Sequence, residues 1–328
     1  MGVVSESWYD CAEMMRAILM ALALVAICAA QGPWEPLPDM PVARWEAGTV
    51  VIDNELYLFG GYLPGPKSVK RADVYNPAKN SWRVLAELPS AITHMNAVRD
   101  GRSVWLAGGF KDGYPGKAID EVWRYDVDKD EYVAGPSLPE PRAGGGLALV
   151  GRRLHYIGGL MADREANSAD HWVLDLESGS EWVDAAPMPA PRNQFSTLTI
   201  DGKIYLIAGQ YHHDSGQADQ PRVDVYHSHT DSWSAGPALP APHSHAEGST
   251  FIYRGRVLMM GGMTRTLAKR HIEDVIWALE DGEWSEIGRL PKPLSSPSAA
   301  IIGGKLILAG GSLNGRDPQP GMWVRWAP

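Results

Sequence analysis

The chain has 328 residues, 45% of them hydrophobic, with a net charge of −9 and two cysteines. No basic run exceeds Lys70-Arg71 or Lys269-Arg270, so the clustered Lys and Arg that a nucleic-acid partner requires are missing. Both cysteines, Cys11 and Cys28, precede residue 32; the rest of the chain has no disulfide, and a core of this size needs none.

In chain order, Arg16 leads into an apolar run from Ala17 to Ala30, followed by Gln31-Gly32. The run is shorter than the roughly 20 residues that span a bilayer and fits a signal peptide over residues 1–31, cleaved after Ala30. Met14 and Met15 leave open an upstream extension over residues 1–13, and Ile27 argues against lipidation of Cys28. The expected mature product is a single domain over 32–328, secreted or periplasmic, with no membrane span.

Trp34-Glu-Pro-Leu37 is predicted as an isolated outer strand. A first full unit follows, with an inner strand at Ala47–Asp53, a second at Leu56–Phe59 ending in Gly60-Gly61, a third at Ala72–Tyr75, and an outer strand at Trp82–Leu85. The unit returns. Second glycines stand at Gly61, Gly109, Gly159, Gly209, Gly262 and Gly311, at intervals of 48, 50, 50, 53 and 49. Closing aromatics stand at Trp34, Trp82, Tyr132, Trp182, Trp233 and Trp284. The chain ends on three strands, Ser298–Ile302, Leu306–Leu308 and Met322–Trp326, which lack the fourth that the N-terminal strand would supply.

With Leu58-Phe-Gly-Gly61, Tyr75-x6-Trp82 and their echoes, the chain from Trp34 to Pro328 resembles the kelch-repeat family. The resemblance implies an all-β fold: a six-bladed kelch β-propeller with four-stranded blades, the last closed by the N-terminal strand. Repeat-position aromatics and Met259, Met260 and Met263 then read as packing.

Up-and-down connectivity puts the loops after each Gly-Gly, and those entering each inner strand, at one end. Seven of the ten histidines fall there: His94, His171, His212, His213, His243, His245 and His271. His227 and His229 fall at the other end, and His155 takes a strand position held elsewhere by Tyr57 or Tyr205. The expected ligand-binding set is Arg164, His171, Arg192, Asn193, Gln210, His212, His213, His243, His245 and Glu247.

Three chemistries suit that set. His243-x-His245 with His212 or His213 offers three nitrogens to zinc or copper, although the spacing matches no defined metal motif. His, Glu247 and Asp214 offer proton transfer on a sugar, with Arg164, Arg192 or Arg222 holding an anion. A plain binding face, with Tyr62, Phe110 and Tyr211 stacking on a glycan, demands least and is the default, with no cofactor.

The family resemblance spans adaptors, actin binders, galactose oxidase-like copper enzymes and N-acetylneuraminate epimerases. The oxidases need a Cys–Tyr pair that residues 32–328 lack. In the epimerases a catalytic Glu follows the terminal glycine, with an Arg further on. Here Ala208-Gly209-Gln210 and Arg222 occupy those places, and a Gln cannot act as a base. The expectation is a secreted propeller that binds a ligand of the carbohydrate class. A sugar or sugar-acid epimerase or mutarotase-like enzyme and a protein–protein interaction module are the alternatives.

Overall fold

The computed structural model describes residues 32–266 and 269–328; the leader read in residues 1–31, with Cys11 and Cys28, lies outside them. The described residues form six four-stranded antiparallel sheets. The first sheet orders Gly48–Ile52, Glu55–Phe59, Ala72–Asn76 and Ser81–Val84 from inside to outside. Its inner pair turns at Asp53-Asn54, with φ of 50° and 61°, the left-handed pair that a two-residue hairpin turn needs. The next four sheets repeat this order. The sixth joins Ser298–Ile302, Lys305–Ala309 and Met322–Trp326 to Glu35–Leu37 from the other end of the chain, in the register Glu35↔Val324 to Leu37↔Met322.

The seven-residue aromatic spacing has a direct cause. Tyr75↔Trp82, Tyr125↔Tyr132 and Tyr226↔Trp233 are opposed across the outer strand pair, with ring centroids 5.1, 4.9 and 5.1 Å apart. In the fifth sheet a register shift at Ile276/Trp277 places Leu279 opposite Trp284. Several closing tryptophans also tether sheets: the indole N–H of Trp182, Trp233 and Trp284 donates to the carbonyls of Pro136, Ala186 and Pro237, and that of Trp34 to Arg289.

Hydrophobic cores lie between neighbouring sheets. Phe59, Val74, Leu88, Ile92, Leu106 and Tyr125 fill one such seam, and Leu58, Ala300, Ile307 and Met322 join the sixth sheet to the first. Each fully buried large side chain contributes about 1.5–3 kcal/mol. Met259 and Met260 belong to these seams.

The second glycine of each repeat also links sheets. The N–H of Gly61, Gly109, Gly159, Gly209 and Gly262 donates to the carbonyls of Ile92, Arg142, Arg192, His243 and Leu294, and Gly311 donates to Arg44. Glycine is required: Gly61 sits at φ 95°, and a Cβ there would lie 2.6 Å from the Trp45 carbonyl oxygen.

Candidate functional site

The chain entering each inner strand repeats one pattern. After Met40-Pro41, Leu88-Pro89, Leu138-Pro139, Met188-Pro189, Leu239-Pro240 and Leu290-Pro291, the third residue beyond each proline is Arg44, Ile92, Arg142, Arg192, His243 or Leu294. Two residues later stand Glu46, His94, Gly144, Gln194, His245 and Ser296. All six adopt left-handed backbone, with φ between 46° and 62°. That conformation is costly for the five that are not glycine. Five of the six interlock through their backbones: Gly144 donates to His94, Gln194 to Gly144, His245 to Gln194, and Ser296 to His245. The result is a rim of six equivalent residues, and three of them are Glu46, His94 and His245.

Those three meet a cavity of about 390 Å³. The Glu46 side chain is only 4% exposed, with Oε2 2.9 Å from His94 Nδ1 and accepting from Thr93 Oγ1 at 3.3 Å. Its Oε1 lies 3.9 Å from His245 Nε2 and receives no hydrogen bond from the described residues. Burial alone would raise this carboxyl, but His94, His245 and His213 hold it below the usual range. From His94 the row continues: His94 Nε2 is 3.3 Å from His213 Nε2, and His213 Nδ1 is 2.8 Å from Asp214 Oδ1. Three contacts need three protons and two neutral imidazoles bring two, so the fully bonded row takes up one more. Burial, then the neighbouring His94 and Arg164, lower His213 to about 4; burial above all lowers His245 to about 3.

Trp45 and Tyr62 form one wall, their rings 5.6 Å apart. Both are buried, and neither the Trp45 Nε1–H nor the Tyr62 hydroxyl has a hydrogen-bond partner among the described residues. Tyr114, Arg265, Arg270 and Arg316 complete the mouth.

The expected site residues divide. His213 and His245 line the cavity. Arg164 stands behind it, bonding Asp214 at 2.8 Å and stacking 3.9 Å over Phe110. Glu247 lies two residues beyond His245, in a separate cavity of about 420 Å³ lined by inner strands. A constriction of about 20 Å³, wide enough for roughly one water, lies between them and touches both Glu46 and Glu247. Burial raises Glu247 to about 8, and its Oε1 has no partner among the described residues.

The remaining expected residues act in the scaffold. Arg192 is fully buried on Asp224 at 2.7 Å and on the carbonyls of Ala190, Leu206 and Ala208. Asn193 and Gln210 bond each other at 3.1 Å and both hold the His212 carbonyl, fixing the loop that carries His213. His243 occupies the repeat position of Arg192 and donates to the Gly261 carbonyl at 2.6 Å. His171 lies in a strand, Nε2 2.9 Å from His155 Nδ1, against Tyr226 and Trp233. The His212 side chain is exposed. The metal candidates His212, His243 and His245 therefore do not converge, and among the described residues no group of three or more His, Cys, Asp or Glu is placed to hold a metal ion.

Sequence reasoning missed Trp45, Glu46, Arg265, Arg270 and Arg316 as site residues, and placed His94 at the correct end without choosing it. The fixed offset from Leu/Met-Pro was the available signal: it sets Glu46, His94 and His245 in register.

A kelch-motif family model matches residues 44–89 and 191–240. The chain is 28% identical over 312 residues to Kelch repeat-containing protein At3g27220 of Arabidopsis thaliana, covering 88% of this chain and 73% of that one. It is 26% identical to Kelch-like protein terF of Aspergillus terreus, over 70% of this chain and 52% of that one. It is 23% identical to Alpha-scruin of Limulus polyphemus, over 84% and 31%. The chain thus spans only about a third to a half of the latter two relatives. The solved structure of YjhT aligns with a TM-score of 0.74 at 15% identity, over 88% of this chain and 96% of that one, a likeness of fold. Among the described residues no helix is long and apolar enough to cross a membrane. The chain thus carries kelch motifs, is similar to kelch-repeat proteins, and has sheets of four antiparallel strands in a β-propeller fold.

Proposed function

We propose that this protein is a six-bladed propeller that binds a small, ring-bearing, hydroxylated ligand of the carbohydrate class in the Trp45–Glu46 cavity. The closed ring is supported by the pairing of Glu35–Leu37 with Met322–Trp326 and by the Gly311-to-Arg44 bond. The leader at Ala17–Ala30 supports a secreted or periplasmic location. N-terminal sequencing of exported protein tests it, and a mature chain retaining Tyr9 would overturn it.

One observation carries the binding reading. Two buried donors, Trp45 Nε1 and Tyr62 Oη, lack partners and belong to residues that wall the cavity. A buried donor without an acceptor costs about 1–3 kcal/mol, which a hydroxylated ligand relieves. Trp45→Phe and Tyr62→Phe keep a ring and delete the donor. Each is expected to leave the free protein as stable or more stable, while weakening sugar binding about tenfold in calorimetric titration against a monosaccharide panel. A variant that binds as tightly as wild type would remove this support.

A second reading, acid–base catalysis on the bound sugar, rests on Glu46 Oε1, unbonded beside His245. It predicts that the protein speeds the anomer interconversion of a labile sugar, followed by NMR, and that Glu46→Gln abolishes the acceleration without abolishing binding. No acceleration across the panel retires the enzyme and leaves the binding protein.

A further inference from the structure

The cavity mouth contains a local conflict that the fold itself does not require. The hairpin Met263–Arg265/Arg270–Ile272 sets Arg265 directly opposite Arg270, and like charges at opposed positions destabilise a strand pair. Arg316 arrives from the loop after Gly311 to line the same mouth. None of the three guanidiniums lies within ion-pair distance of a carboxylate among the described residues. Among the described residues the Arg270 guanidinium donates to the Asn314 carbonyl. Burial and the two neighbouring arginines together lower Arg270 from its ordinary value. Of the carboxylates that oppose Arg270, Glu46 acts from across the cavity, beyond ion-pair distance and beside His94; burial raises Asp219 to about 7, and its Oδ2 is already held by the Arg265 backbone N–H.

Resting on the carbohydrate-binding reading, we propose that Arg265, Arg270 and Arg316 form a subsite for a tetrahedral oxyanion, so that the ligand is a sulfated or phosphorylated sugar. One guanidinium fork saturates both oxygens of a planar carboxylate. Three guanidiniums, brought by two separate loops, match the three terminal oxygens of a sulfate or phosphate ester instead. The ester settles the Arg265–Arg270 repulsion, and its ring extends inward to Trp45 and Tyr62.

The test is calorimetric titration of the full chain with glucose, glucuronate, glucose 6-sulfate, glucose 6-phosphate, inorganic sulfate and inorganic phosphate. The expected result is that at least one ester binds ten or more times more tightly than both glucose and glucuronate, the two esters telling sulfate from phosphate. Arg270→Gln/Arg316→Gln is expected to abolish the preference for that ester over glucose. Arg270→Gln alone, by ending the opposed pair, is expected to raise the melting temperature of the free protein at low salt. Glucuronate binding as tightly as the esters, or an unchanged order of ligands in the double variant, overturns the proposal. If no sugar binds but inorganic sulfate or phosphate does, and the double variant loses it, the oxyanion subsite stands and the carbohydrate reading falls. If neither ion nor any ester binds, the subsite is overturned.

Discussion

Arg192→Ala is expected to destabilise the fold by about 3–5 kcal/mol, the range for removing one partner of a buried ion pair, measured by urea unfolding. Both side chains of the Arg192–Asp224 pair are 0% exposed. The guanidinium also binds three backbone carbonyls, those of Ala190, Leu206 and Ala208, and these would be left buried without donors. Asp224 keeps Arg222, whose Nη2 is 2.7 Å away, which limits the loss at the carboxylate. The same arrangement in the first repeat, with Arg44 on Asp73 at 2.6 Å and Arg71 beside it, marks the position as a structural device. Ligand affinity of the folded variant is expected to stay near that of wild type. A stability loss under about 1 kcal/mol, or a binding defect without one, would return Arg192 to the ligand site.

The case of Arg192 shows where local sequence stops informing. Its place in a polar loop was visible, and so was the glycine period that fixes which end of the sheets it occupies. Whether it faces solvent or a neighbouring sheet depends on the residue two places later. Glu46 and His94 point into the cavity because their left-handed backbone turns them off the inner strand, whereas the residue two before each is buried between sheets. His243 and His245 differ by the same two steps and split the same way. His171 is expected at the entry of a third strand with its side chain at the ligand face; it does open the strand His171–Asp175, but its side chain is buried against Tyr226. The opposed arginines escaped for a different reason: Arg265 and Arg270 become neighbours only through hairpin register, which the sequence between them does not announce.

The buried His155–His171 pair gives the pH prediction its cleanest form. His171 Nδ1 donates to the Ala186 carbonyl at 3.1 Å, so its Nε2 accepts from His155 Nδ1 and both rings are neutral. His155 Nε2 then has no partner. Burial, with the adjacent His171, lowers His155 to about 3, and burial lowers His171 to about 4. A histidine whose folded value lies below the ordinary 6.5 leaves the unfolded chain binding more protons. Its contribution is therefore complete above about pH 6.5 and is lost as the pH falls toward the folded value. At pH 5 that loss is about 2 kcal/mol for each imidazole. Glu247 and Asp219 oppose it, since carboxyls raised by burial are relieved on acidification. A difference measurement cancels them. His155→Tyr installs the residue that Tyr57 and Tyr205 supply at the matching strand position and removes one titrating ring. Relative to wild type, the variant is expected to gain about 2 kcal/mol between pH 7 and pH 5, read from urea midpoints at each pH. A pH-independent difference would mean that the pair is already charged when folded, contrary to the hydrogen bonds that hold it.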